Sequence, residues 1–177
     1  MMSTRGCIAY KTKSGWTGVY HHWDSYPTWL GAKIFDVIKS KFRLNSNLKS
    51  TLKNFIAQYI NEHPAGWSSF PTVCYCHDRG EKASAMISHA NSDPLFIEWV
   101  YVINPEKQTI EILAHTPCKI HNRKNGEINN QINRIEGCCW DYGHCAYKHI
   151  RLVTLNLRGL IKNNQKPNWR RIESLAN

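Results

Sequence analysis

Residues Gly18 to Gly31 read Gly-Val-Tyr-His-His-Trp-Asp-Ser-Tyr-Pro-Thr-Trp-Leu-Gly. Two histidines, an aspartate, two tyrosines and two tryptophans fall in that short stretch. Imidazole gains and loses a proton near neutral pH, and a carboxylate beside it fixes which nitrogen carries the hydrogen. His22, Asp24 and Tyr26 are therefore a candidate cluster for gripping a phosphate or a sugar, or for acid–base work. Strand alternation puts Trp16, Gly18, Tyr20 and His22 on one face and His21 on the other, so Tyr20 joins the cluster and His21 does not. The plainer reading is that Trp23 and Pro27 anchor a turn while Asp24 caps the next helix or closes an Asx-turn.

Glu98 is the sharpest single residue outside that turn. It stands in Phe-Ile-Glu-Trp-Val-Tyr-Val-Ile (Phe96 to Ile103), otherwise apolar throughout. A carboxylate there must be paired, protonated or turned toward a polar cavity, and His22, Arg5 and Arg79 are the candidate partners. His77 and Arg79 extend the candidate ligand-binding set, since a guanidinium meets phosphate as a planar fork. Trp16, Tyr20, Trp67 and Trp99 could stack bases or fill the core.

Cys74-Tyr75-Cys76-His77 suggests metal chemistry, because two thiols on one strand face can share an ion. Cys118-x-x-His121 and Cys138-Cys139 with His144-Cys145 could complete a tetrahedral zinc site, with Cys74, Cys76, Cys138 and Cys145 as the candidate ligands. The Cys-x-Cys spacing departs from the usual Cys-x2-Cys knuckle and no second knuckle matches it, so buried thiols without metal account for it better than zinc does. Cys76 beside His77, with His22 or His63 folded near, would instead follow the thiol–imidazole logic of a hydrolase.

These residues need a scaffold. Arg5 to Lys11 and Trp16 to His22 predict two strands joined by Thr12-Lys13-Ser14-Gly15. Leu30, Ile34, Val37 and Ile38 predict one helix. Leu48, Leu52, Phe55, Ile56, Tyr59 and Ile60, following an Asn45-Ser46-Asn47 cap, predict a second that ends at His63-Pro64. Thr72 to Cys76, Phe96 to Ile103, Thr109 to His115 and His149 to Leu157 are further strands, and Pro167 to Leu175 a terminal helix. Residues 121–137 read as a mobile loop or insertion. The order predicts a single α+β domain over residues 1–177, a mainly antiparallel sheet with two or three helices packed on one face.

The chain has 177 residues and is 42% hydrophobic and 20% charged, which suits one folded core rather than a disordered polymer;. No apolar run approaches the roughly 20 residues of a membrane helix, and Met-Met-Ser-Thr-Arg-Gly-Cys lacks the apolar core of a signal peptide. The expectation is a soluble cytoplasmic protein with no membrane partner. Seven cysteines then read as reduced thiols rather than a disulfide framework;. Twenty-three basic residues against 13 acids, a formal +10, favour an acidic partner;.

Four patches carry a family resemblance: Ser3-Thr4-Arg5-Gly6-Cys7-Ile8-Ala9; Tyr20-His21-His22-Trp23-Asp24-Ser25-Tyr26-Pro27; His63-Pro64-Ala65-Gly66-Trp67-Ser68 with Cys74-Tyr75-Cys76-His77; and Glu98-Trp99-Val100-Tyr101. Together they resemble a group of small proteins from bacteriophages, prophages and cyanobacteria. That group carries no established activity, so the resemblance implies a phage-like origin rather than a reaction. By analogy with phage accessory proteins it also implies the host cytoplasm as compartment and neutralisation of a host defence as role. The resulting expectation is a protein that holds a nucleotide or other phosphorylated small molecule, or nucleic acid, around Tyr20, His22, Asp24, Tyr26, His77, Arg79 and Glu98. Two other classes stay open: a hydrolase or phosphodiesterase using His22 with Asp24 or Glu98, and a basic inhibitor that covers an acidic host protein.

Overall fold

The computed structural model describes residues 4–21, 24–61, 87–90, 92, 97–116 and 148–176. Strand β1 (Gly6–Thr12) turns at Lys13 and Ser14 and pairs antiparallel with β2 (Gly15–His21). Gly15 opens β2 at φ +141°, where side chains are strained, and a Cβ there would meet the Cβ of His89 at 2.9 Å;. Pro27–Gly31 then winds as a wide π turn into helix α1 (Ala32–Asn45). Ser46, at φ +57°, ends α1 with its N–H on the Phe42 carbonyl (2.7 Å). Asn47 opens α2 (Leu48–Ile56) by accepting the Ser50 N–H at 3.0 Å;. Ala57–Asn61 continues α2 as another wide turn.

Among the described residues four strands and two helices follow: β3 (Ile87–Ser88), β4 (Trp99–Asn104), β5 (Thr109–Thr116), β6 (Lys148–Asn156), α3 (Leu157–Lys162) and α4 (Trp169–Ser174). The sheet order is β3-β2-β1-β4-β5-β6, antiparallel at every pairing except the parallel β1–β4 pair. This is the expected α+β fold. The last helices differ in detail. Asn156 caps α3 through the Gly159 N–H, so the chain leaves β6 directly into a short helix whose first residue, Leu157, is the last of the expected strand. α4 starts after Asn168, whose side chain accepts the Arg171 N–H, rather than at Pro167. The expected strand at Thr72 to Cys76, the loop at 121–137 and the helix end at His63-Pro64 lie outside the described residues.

The four helices among the described residues pack in one apolar cluster against the same sheet face. Leu30, Ile34 and Ile38 are buried as their spacing predicts; Phe35 rather than Val37 completes the buried set of α1. Every member of the α2 stripe, Leu48 through Ile60, is buried. Against them stand Ile8, Val19, Trp99, Tyr101, Ile103, Ile110 and Ile112 of the sheet. The opposite face carries a smaller cluster, Cys7, Ala9, Trp16, Ile97, Val100, Val102 and Leu113.

The sheet curls over that second face. The rings of Trp16 on β2 and His149 on β6 stand 5.8 Å apart, although β1, β4 and β5 lie between their strands. In a flat sheet four strand spacings span about 19 Å, too far for an indole and an imidazole to bridge. A bulge in β6 contributes: Ile112 faces Val153 and Leu113 faces Arg151, so Leu152 is an inserted residue. Such an insertion bends the strand and increases its twist.

Among the described residues no helix is long and apolar enough to cross a membrane.

Candidate functional site

Strand register assembles a row of ionisable side chains at one end of the curled face. The N–H groups of Glu98 and Trp99 donate to the Arg5 carbonyl (2.9 and 3.3 Å), which extends the β1–β4 pairing by one step. The His115 N–H donates to the Glu98 carbonyl at 2.9 Å, and His115 lies opposite His149 across β5 and β6. Four neighbouring strands thus present Arg5, Glu98, His115 and His149 side by side. Tyr20, opposite Cys7 on β2, lies one step further in on the same face.

Glu98 is not in the middle of an apolar strand, as its sequence neighbours suggest. β4 begins at Trp99, so Glu98 stands at its entrance, with its side chain about one quarter exposed. Its partner is Arg5. Glu98 Oε1 accepts the Arg5 backbone N–H at 3.2 Å and lies 3.9 Å from Arg5 Nε. An ion pair this open contributes at most about 1 kcal/mol, so its value is geometric: it turns the guanidinium and the carboxylate toward each other at the sheet end. Among the described residues Glu98 Oε2 has no hydrogen-bond donor.

Burial raises the Tyr20 phenol above its ordinary pKa; the Arg5 charge draws it down and the Glu98 charge pushes it up again. Tyr20 therefore remains a neutral hydroxyl at physiological pH. His149 Nε2 lies 2.6 Å from the Ile97 carbonyl oxygen. A carbonyl only accepts, so Nε2 carries the hydrogen in this contact;.

The turn from Asp24 to Tyr26 reaches the same sheet end from the helix side. The Ser25 N–H donates to the Thr4 carbonyl at 3.2 Å, and the Tyr101 hydroxyl donates to the Ser25 carbonyl at 2.7 Å. Gly6 permits this approach, since a Cβ there would lie 2.7 Å from that of Ser25. The buried His21 Nδ1 lies 3.0 Å from the Ser25 hydroxyl, a structural pairing on the face opposite Tyr20. Asp24 is exposed at φ +45°, and Tyr26 is half-buried with its carbonyl accepting the Trp29 and Gly31 N–H groups. No side-chain cap bond opens the π turn at Tyr26.

The structure thus brings Tyr20 and Glu98 together with Arg5, and holds Asp24 and Tyr26 at the same end over the other face. His22, His77 and Arg79 lie outside the described residues, as do the zinc candidates Cys74, Cys76, Cys138 and Cys145 and the partner motifs Cys118-x-x-His121 and His144. Among the described residues no group of three or more His, Cys, Asp or Glu side chains could hold a metal ion. Cys7 is fully buried, and burial pushes its thiol far up, so it is not a nucleophile;. Trp16 and Trp99 are core residues, not stacking platforms.

His115 and His149 were not among the sequence candidates. The available signal was His115 closing an alternating strand and His149 opening the next, which places both at one sheet end once the strands pair. Chemically the row combines the Arg5 guanidinium, the His115 imidazole and the Tyr20 phenol with Glu98 Oε2 as an acceptor, and the His149 N–H is engaged by the Ile97 carbonyl. Comparison of the chain with known protein families, curated proteins and solved structures gives no match.

Proposed function

We propose that the sheet-end row binds a phosphorylated small molecule, of which a nucleotide is the class that best suits its groups, and holds it rather than converting it. The observation that carries this reading is the Arg5–Glu98–His115–His149 row with Tyr20 beside it. Guanidinium, imidazole and phenol on one sheet face would supply donors for phosphate oxygens, and Glu98 Oε2 an acceptor for a sugar hydroxyl. Holding is favoured over hydrolysis because Glu98 Oε1 is already engaged by the Arg5 N–H, which leaves this carboxylate suited to orientation more than to proton abstraction. The resemblance of the Arg5 and Tyr20 segments to small phage and prophage proteins supports an accessory role, in which a nucleotide signal of the host is sequestered.

Native mass spectrometry of the protein purified from cells tests the reading, followed by calorimetric titration with a panel of nucleotides and with inorganic phosphate as the minimal probe. A bound nucleotide released intact on denaturation is the expected result. Arg5→Ala should weaken its binding at least tenfold, the size of a charged hydrogen bond of about 1.5–3 kcal/mol. Turnover of the nucleotide would replace this reading with the hydrolase one. An empty protein that forms a stable complex with a host protein would replace it with the inhibitor one.

A further inference from the structure

The basic residues are scattered along the sequence but not over the molecule. Residues 27–61 and 157–176, which form the helix layer, hold 11 of the 23 Lys and Arg residues and only Asp36 and Glu173 of the 13 acids. That layer therefore carries a net +9 of the chain's formal +10, and the rest of the protein is nearly balanced.

Packing arranges part of this charge as a track. The segment between α3 and α4 runs back along α1, as the bond from Lys39 Nζ to Asn164 Oδ1 (2.8 Å) and the Lys166–Asp36 ion pair (3.7 Å) establish. The track begins at Arg43, Arg158 and Lys162 near the C-terminus of α1 and ends at Lys33, Arg170 and Arg171 near its N-terminus. At 1.5 Å per residue its length along α1, from Arg43 to Lys33, is about 15 Å;. Lys49 and Lys53 share Glu106, but no acid among the described residues pairs with Arg43, Arg158, Lys162, Arg170 or Arg171.

At the first end of the track lies a groove of about 300 Å³, at the low end of ligand-pocket sizes;. Phe42 and Ile161 form apolar walls, Arg158 and Lys162 stand at the rim, and Gln108 lines the side. Gln108 Oε1 is buried, and no hydrogen-bond donor reaches it among the described residues. An acceptor left dry in a groove calls for a ligand N–H, while the rim calls for a negative charge. A nucleobase with an exocyclic amino group on a phosphate backbone has both.

We infer that the helix layer is a docking surface for single-stranded nucleic acid, with phosphates along the α1 track and one unpaired base in the groove at Gln108. An acidic protein fits less well. Protein interfaces have an apolar centre depleted in lysine, whereas the exposed large hydrophobics among the described residues are Leu44 and Leu175. A duplex fits less well because its bases are not free to enter the groove. The inference stands apart from the nucleotide reading, since it uses the opposite face of the sheet and none of the Arg5 row.

Fluorescence anisotropy with a labelled twelve-nucleotide single strand, the matching duplex and an abasic strand of the same length provides the test. The single strand should bind with a log–log salt slope of about −3, as roughly four contacts at 0.7 each require. The duplex and the abasic strand should bind about tenfold more weakly, the share of one stacked base. Arg158→Glu with Lys162→Glu, both at exposed positions, should lower affinity at least tenfold, while Lys13→Glu on the distant hairpin turn changes nothing. Calorimetry with a nucleotide on the same double variant keeps the two readings separate. Equal binding of all three probes overturns the base site, and equal loss in Lys13→Glu overturns the track. Binding of polyglutamate with no binding of any strand at 50 mM salt, about the low end of the usual salt range, overturns the inference in favour of an acidic protein.

Discussion

Among the described residues, twenty-two buried side chains from the sheet, the π turn and the four helices meet on one face of the sheet, against seven in the cluster on the curled face. The larger cluster is bounded by solvated lysines and arginines; the smaller ends at Arg5, Glu98, Tyr20, His115 and His149. The two faces therefore do different work. Helices bring a broad apolar stripe and place their charge outward, so stability and long-range electrostatics go together on that side. Strands bring alternate residues to a shared row, so different side chains from different parts of the chain meet at short range on the other side. A second charge group, Glu111 between Lys11 (3.3 Å) and Arg151 (3.9 Å), follows the same strand logic further along the curled face.

The contrast breaks most visibly in the core. Phe55 is fully buried on the helix side, and Phe55→Ala should cost about 3–5 kcal/mol in urea unfolding. Leu113, the corresponding apolar residue on the curled side, is 8% exposed. Leu113→Ala should cost about 2 kcal/mol, the low end for such truncations. Equal losses would mean that the curled face is as much a foundation as the helix face.

A smaller effect tests the join between the faces. Tyr101 sits in the helix-side core, and its hydroxyl holds the Ser25 carbonyl of the turn that reaches the sheet end. Tyr101→Phe leaves that buried carbonyl without its donor and should cost about 1–2 kcal/mol. If the turn is secured elsewhere, the loss will be immeasurable in the same urea experiment.

Local pattern made the helix side legible. The α2 stripe, the Asn47 cap and the antiparallel hairpin are short-range features, and each is present where its residues predict. Arg5 was one of three partners that chemistry allowed for Glu98, and the parallel β1–β4 pairing selects it. The row itself was not legible, because His115 and His149 become neighbours of Glu98 only through strand order, which residue spacing does not encode. α3 escaped notice because six residues are too few to display a helical period;. The charge looked dispersed for a related reason: the two segments that supply the track, Lys33 to Arg43 and Arg158 to Arg171, lie more than a hundred residues apart in sequence and are joined by packing.

The finest test of the curled face reads one proton. Burial is the main reason that the Tyr20 phenol lies above its ordinary value, with Arg5 lowering it and Glu98 raising it. A folded pKa above the unfolded one stabilises the protein fully below the ordinary phenol value of about 10, and that contribution is lost as pH rises through the folded value. Glu98→Gln removes the negative neighbour, so Tyr20 should ionise at lower pH than in the unmodified protein. Arg5→Ala removes the positive one, and Tyr20 should ionise at higher pH. Ultraviolet difference titration, with Tyr20→Phe to identify the signal, measures both shifts. Opposite shifts of Tyr20 in the two variants are the expected outcome, with thermal stability almost unchanged because the ion pair is open to solvent. Identical titrations in all three proteins would mean that Tyr20 does not share the electrostatic environment of the row, and the phosphate-binding set would shrink to Arg5, His115 and His149.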